Sequence, residues 1–241
     1  MKKEIKQIAL LTASGVGARM GQDIPKQFIN VYDKPVIVYT MECFQNHPEI
    51  DAIVVVCLKG WESVLKAYAK QFNVTKLVSV VNGGETGFES IINGTKEIKR
   101  LFNDDDIVLV HDGIRPNVSS DIISNNIAVC MQKGNAVTAI PCREAMIFSE
   151  DGLEGNKEIP RDELLRTQTP HAFHLRELYE AQQEGLKRGI KNTVAMCTLY
   201  TDLGKTIYFS QGSEKNLKLT TTDDIEIFKA LLNSKKDEWI K

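Results

Sequence analysis

The chain has 241 residues, with 30 Lys and Arg against 32 Asp and Glu, a formal charge of -2. At roughly 100–200 residues per domain this is one large domain, or one domain with an appendage. A hydrophobic fraction of 42% and a charged fraction of 26% exclude disordered, collagen-like and mucin-like classes, and the near-zero charge argues against general affinity for nucleic acid or membrane surfaces, so any anion site is local.

Met1 to Gln7 is charged and leads into an apolar run at 8–11, too short for a signal-peptide core or a membrane helix. The cysteines, Cys43, Cys57, Cys130, Cys142 and Cys197, are odd in number and never form a Cys-x-x-Cys pair. That usage predicts reduced thiols in a cytoplasmic protein. Runs at 8–11, 52–56, 77–81 and 107–110 are short, continuous and rich in β-branched residues, as strands buried on both faces require. Helical patterns at 35–44, 62–72, 88–102 and 120–132 alternate with them, which predicts an α/β doubly wound domain.

After Pro141 the alternation stops. Residues 143–168 are polar, and Asp151-Gly152 and Glu154-Gly155-Asn156 are turn signals, so a hairpin-like arm is expected there. A helix at 175–186, strands near 206–209 and 217–219, and a last helix at 223–232 complete the reading. Thr222 is its expected N-cap, with Asp223 and Asp224 in the first turn.

The first strand runs into Thr12-Ala13-Ser14-Gly15-Val16-Gly17-Ala18-Arg19-Met20-Gly21, followed by Pro25-Lys26-Gln27. A loop of small residues at the C-terminal edge of a sheet lets backbone N–H groups approach phosphates. A dinucleotide fingerprint fails because Met20 stands where glycine is needed, and the Gly-Lys-Ser/Thr of a Walker loop is absent. The loop instead carries two cations, Arg19 and Lys26, suited to neutralising charge on a triphosphate during displacement; the alternative is a turn with two solvated cations.

Ser-Gly-x-Gly-x-Arg-Met-Gly-x-x-x-Pro-Lys-Gln-Phe resembles the signature loop of the cytidylyltransferases that activate polyol phosphates, a family including methylerythritol-phosphate and ribitol-phosphate enzymes. The resemblance runs from about Ile8 to Leu232 and rests on several separated motifs. It implies a Rossmann-like fold of the nucleotide-diphospho-sugar transferase type: a mostly parallel sheet flanked by helices, with an extended β-arm. The whole of 1–241 is then one nucleotidyltransferase domain, with 143–168 a protruding arm for dimerisation and substrate binding. Ala13, Ser14, Gly15 and Gly17 would bind the nucleotide, and Arg19 and Lys26 would act in catalysis.

His111-Asp112-Gly113-Ile114-Arg115-Pro116 follows a strand, so Asp112 lies at the sheet edge where α/β proteins bind ligands. Asp112 is a candidate either to hold Mg²⁺ or to accept a substrate hydroxyl, and Arg115 either to pair with a carboxylate or to contact an anion. A loop-stabilising Asp–Arg pair is the plainer alternative. The block resembles the family's His-Asp-x-x-Arg-Pro, with Gly113-Ile114 in place of the Ala-Ala usual in methylerythritol-phosphate enzymes.

By the same resemblance, Asn216-Leu217-Lys218-Leu219-Thr220 brings Lys218 to the α-phosphate of CTP, although a lone strand lysine is ordinarily solvated. Arg161 with Thr169-Pro170 matches an arm that reaches a neighbour's polyol-phosphate pocket in a homodimer; Arg166 and Lys157 are nearby competitors for that role. Thr193 matches a threonine on the substrate phosphate. Gly83 and Ser90, in Gly-Gly-Glu-Thr-Gly-Phe-Glu-Ser, match the base and ribose site, but Gly87 stands where the family commonly has Arg.

The implied reaction is Mg²⁺-dependent transfer of CMP from CTP to a polyol phosphate, giving a CDP-polyol and pyrophosphate. Gly113-Ile114, Gly87 and Arg143-Glu144 favour ribitol 5-phosphate over methylerythritol 4-phosphate. A nicotinamide oxidoreductase is disfavoured by the broken fingerprint, and a non-catalytic nucleotide-binding regulator need not keep Lys26, Lys218 and Arg161 together. His171 and His174 sit three apart with no Cys or further His beside them, so no zinc site is expected. No nucleophile elbow is present.

Overall fold

The computed structural model describes residues 5–15 and 24–237. Arg19 and Gly17 lie outside the described residues. Strand β1 (Gln7–Ala13) is followed by a 3-10 turn (Lys26–Phe28), a short ribbon of β2 (Asn30–Val31) and β3 (Lys34–Pro35), and helix α1 (Val36–Gln45). Then come β4 (Ala52–Cys57), α2 (Glu62–Gln71), β5 (Leu77–Asn82), α3 (Gly87–Leu101), β6 (Ile107–Asp112), α4 (Ser120–Lys133) and β7 (Asn135–Pro141). The arm ribbon β8 (Met146–Phe148) and β9 (Lys157–Ile159) precedes β10 (Leu165–His174), α5 (Leu175–Lys187), α6 (Met196–Asp202), β11 (Phe209–Gln211) and α7 (Thr222–Asp237).

Among the described residues the main sheet has seven strands in the order β11-β7-β10-β6-β1-β4-β5. Only β10 runs antiparallel, to both β6 and β7; the other pairings are parallel. Continuous apolar strands suit this arrangement because both sheet faces are covered. Ala9, Leu11 and Ala13 of β1 enter one core layer with α1, α2 and α4. Ile8 and Leu10 enter the other, with α3, α5 and α6. A third cluster joins Val31, Ile114, Leu219 and Phe228, and so packs α7 near the cleft end of the sheet.

The chain passes from β1 to β4 and β5 on one side and returns through β6 on the other. The crevice beyond the C-terminal ends of β1 and β6 is therefore the topological switch point, where open α/β sheets bind ligands.

Several elements differ from their sequence expectations. Residues 217–219 join no strand ladder, although the Leu219 N–H bonds the Ile114 carbonyl at 2.9 Å. The strand expected near 206–209 lies at Phe209–Gln211. The last helix is capped by Thr221 rather than Thr222: Thr221 Oγ1 accepts the Asp224 N–H at 3.3 Å, and Asp224 Oδ2 accepts the Thr221 N–H at 2.8 Å. The arm is a hairpin, but residues 165–167 pair with β7 in the main sheet, so its free part ends before Leu165. Strands β7 and β10 and helix α6 were not expected.

Candidate active site

Two loops and a helix start converge on the switch point. Ser14 and Gly15 follow β1, and Lys26 returns to them on the 3-10 turn. The turn is fixed by buried Gln27, whose Nε2 donates to the Ala13 carbonyl at 2.8 Å and the Gly15 carbonyl at 3.0 Å. Helix α3 begins beside them, with Thr86 Oγ1 accepting the Glu89 N–H at 3.1 Å as its N-cap. Ser90, 2% exposed, joins the two: its hydroxyl lies 3.0 Å from Ser14 Oγ, accepts the Gly84 N–H at 3.1 Å and donates to the Thr86 carbonyl at 2.9 Å. Gly83 permits this contact, because a Cβ there would stand 2.3 Å from the Ser14 Cβ.

Asp112 ends β6 and faces two cations. Arg115 Nε donates to its Oδ2 at 3.0 Å, and Lys218 Nζ lies 3.2 Å from each carboxylate oxygen. Burial alone would raise this carboxyl, but Lys218 and Arg115 outweigh it and hold it down at about 2. Arg115 is itself held by a 2.8 Å bond to the Asn216 carbonyl. Lys218 is partly exposed, while its neighbour Leu219 is buried.

A relay of hydrogen bonds sets the height of Asp112. Thr169 Oγ1 accepts the Asp112 N–H at 3.0 Å and lies 3.0 Å from His111 Nδ1. His111 Nε2 lies 3.1 Å from the Arg115 carbonyl. That carbonyl can only accept, so the proton is on Nε2 and Thr169 donates to Nδ1. Burial pushes His111 down to about 4, which keeps it neutral. Asn216 Nδ2 closes the relay with a 2.8 Å bond to the Thr169 carbonyl.

A cleft of about 440 Å³ between these elements is lined by Ala13, Ser14, Gly15, Lys26, Ser90, Asp112, Thr193 and Lys218, while Arg115, His111 and Thr169 line a smaller pocket beside it. Thr193 Oγ1 is already engaged, 3.0 Å from the Ala195 carbonyl and 2.5 Å from Thr198 Oγ1. Arg161 is not brought to the cleft within one chain: it sits half-exposed after β9, with Nη1 bonded to the Arg143 carbonyl at 3.0 Å. Arg166 pairs with Glu214 and Lys157 lies in β9, so neither lines the cleft. Sequence reasoning quoted Gln27 and Asn216 within motifs without giving them a role, and it did not single out Gln168, whose Nε2 donates to the Ser213 carbonyl at 2.8 Å. Polar brackets that bind backbone carry no signal before their partners are known.

A doubly wound sheet with cations gathered at its switch point defines the class: a nucleotide-binding transferase of Rossmann-like type. Comparison with known proteins narrows it. The profile described as IspD: 2-C-methyl-D-erythritol 4-phosphate cytidylyltransferase matches residues 7–234, and the chain belongs to that family. It is thus a CTP-dependent nucleotidyltransferase. It is 43% identical over 230 residues to the ribitol-5-phosphate cytidylyltransferase of Lacticaseibacillus paracasei, covering 95% of this chain and 98% of that protein. It is 35% identical over 221 residues to the 2-C-methyl-D-erythritol 4-phosphate cytidylyltransferase of Clostridium tetani, covering 91% and 87%. The crystal structure of the Francisella tularensis 2-C-methyl-D-erythritol 4-phosphate cytidylyltransferase superposes with a TM-score of 0.78 at 28% identity, covering 92% of this chain and 97% of that one.

Proposed function

We propose that the enzyme transfers CMP from CTP to ribitol 5-phosphate, giving CDP-ribitol and pyrophosphate. The observation that carries this reading is the meeting of Lys26 and Lys218, from opposite ends of the chain, in one cleft with Asp112. An ionised oxygen of the acceptor phosphate attacks the α-phosphorus, the bond to the leaving pyrophosphate breaks, and no strong general base is needed. Lys26 and Lys218, with Arg19, stabilise the charge that spreads over the phosphoryl oxygens. Lys218 leaves Asp112 to do so, and Arg115 continues to hold the carboxylate. The cytosine and ribose lie against Ser14, Gly83 and Ser90.

Ribitol 5-phosphate is favoured over methylerythritol 4-phosphate by the higher identity to the Lacticaseibacillus protein. The site gives two further reasons. A Cβ on Gly113 would lie 2.8 Å from both the Thr12 carbonyl and Ile37 Cδ1, so the Ala of the methylerythritol pattern does not fit this chain. A Cβ on Gly87 meets nothing within 4 Å, which leaves that side of the cleft wide where the family commonly has Arg.

Mg²⁺ fits the donor set in one way. Asp112 and the exposed Glu85 are the carboxylates lining the cleft, and no cluster of three or more His, Cys, Asp or Glu able to hold a metal occurs among the described residues. That suits an ion carried mainly by the triphosphate, with Asp112 as its protein ligand. When bound, it would neutralise phosphate charge; Asp112 otherwise serves the acceptor.

Residues 1–241 form a single domain in this proposal, and the arm within 143–168 belongs to a homodimer in which Arg161 holds the neighbour's acceptor phosphate. Met146, Ile147 and Phe148 are exposed on the arm, and a bare two-stranded ribbon is marginal in water, which supports a partner covering it. Cys57, Cys130, Cys142 and Cys197 are buried as core filler, and with their scattered spacing this supports a cytoplasmic enzyme. The test is pyrophosphate release from CTP with each acceptor. Lys26→Ala should lower kcat by about 10²–10³ with the fold intact; an unchanged kcat would remove Lys26 from the mechanism.

A further inference from the structure

A smaller pocket of about 150 Å³ adjoins the main cleft, sharing Thr12, Asp112 and Lys218 with it. On the same measure a single water needs roughly 10–15 Å³, so several carbinol groups have room. His171 of β10 lines this pocket and is 2% exposed. It opposes Val110 of β6 in the ladder, in the same sheet face as Phe173, where an apolar side chain would complete the core. Its Nε2 is buried and has no hydrogen-bond partner among the described residues.

The opposite side of the ring is occupied. The Gln168 backbone on that side favours the imidazole's protonated form, as a carbonyl acceptor does. The β10–β7 ladder shifts between Thr167 and His171, so Gln168 lies in the irregular stretch just before the ring. A carbonyl only accepts, so the nitrogen facing it carries the proton and Nε2 is a bare acceptor. Burial pushes the imidazole down to about 4, so the lone pair is free at neutral pH. An unpaired buried nitrogen is costly, and a partner arriving with the substrate accounts for it.

We infer that the polyol chain of the acceptor enters this inner pocket and that His171 accepts a hydrogen bond at Nε2 from one of its hydroxyls. The inference rests on the function proposed above and adds a specificity residue to it. The rival is a water held at Nε2 with no role in substrate choice.

The experiment compares wild type, His171→Phe and His171→Gln in steady state, with ribitol 5-phosphate and CTP varied in turn. His171→Phe should raise KM for ribitol 5-phosphate about five- to tenfold, the loss of one neutral hydrogen bond. KM for CTP should stay within about twofold, which also reports an intact fold. His171→Gln, whose Oε1 is again an acceptor, should recover most of the acceptor affinity. An unchanged acceptor KM in His171→Phe, or equal rises for both substrates, would overturn the inference while leaving the proposed reaction standing. A second readout is independent of turnover: in ¹⁵N-histidine-labelled wild type, adding ribitol 5-phosphate should shift the Nε2 resonance of His171. If no polyol phosphate is turned over, the proposed reaction fails; the labelled titration then decides the pocket, a shift supporting the inference and no shift overturning it.

Discussion

The two buried histidines behind the site make the fold acid-sensitive in a calculable way. Burial holds both His111 and His171 down at about 4. In the unfolded chain each titrates near ~6.5. As the pH falls from there towards about 4, the unfolded chain takes up protons that the folded chain refuses, so stability falls with falling pH. Below about 4 both rings charge in the folded state too, and the loss stops growing. The slope is about 1.4 kcal/mol per pH unit for each histidine. At pH 5 the pair has removed about 4 kcal/mol, a large part of a net stability of about 5–15 kcal/mol. For a chain of this size that is a Tm roughly 8–16 °C below the value at pH 7. Asp112 does not interfere: its depressed carboxyl contributes stability above ~3.8 that is lost only as pH falls through about 2. Thermal scans at fixed protein concentration, in steps from pH 7.5 to 5, measure the slope. His171→Gln should remove about half of it. A Tm constant to within a few degrees across that range, or a full slope retained in His171→Gln, would refute the reasoning.

Two further outcomes follow from the same geometry. Ser90→Ala removes a buried hydroxyl that serves Ser14, Gly84 and Thr86, and should cost about 1–3 kcal/mol of stability and raise KM for CTP; thermal and kinetic measurements check both. Arg161→Ala should raise KM for the acceptor alone. Mixed with an inactive Lys218→Ala protein it should regain about a quarter of wild-type activity, because half the dimers carry one complete site. No recovery on mixing would place Arg161 outside a shared site.

The parallel half of the fold was legible in the sequence because β1, β4 and β6 are buried on both faces, and continuous apolar runs have few other uses. Strand β5 has the same kind of run but is the sheet's edge strand and only half-buried, with Val78 exposed. Strand β10 was hidden, since Leu165–His174 is exposed over its first three residues, which pair with β7 alone, and carries Gln168, His171 and His174 further on. Residues 217–219 alternate like a strand yet pack beside Ile114 with one backbone bond, so the pattern reported burial rather than pairing. At the site, Lys26, Asp112, Ser90 and Lys218 were found through motifs, and the structure brings them to one cleft. The brackets that hold them, Gln27 on two carbonyls and Asn216 on Thr169, depend on distances no linear pattern encodes. His171 had no role in the sequence beyond a zinc reading set aside for it and His174; its strand position directs it to the inner pocket.

The identity of the product tests the proposed reaction most directly. Wild-type enzyme incubated with CTP, Mg²⁺ and equal amounts of ribitol 5-phosphate and 2-C-methyl-D-erythritol 4-phosphate, with products resolved by mass, should yield CDP-ribitol as the dominant product with one pyrophosphate for each. A dominant methylerythritol product would contradict the acceptor assignment, and neither product would contradict the reaction itself.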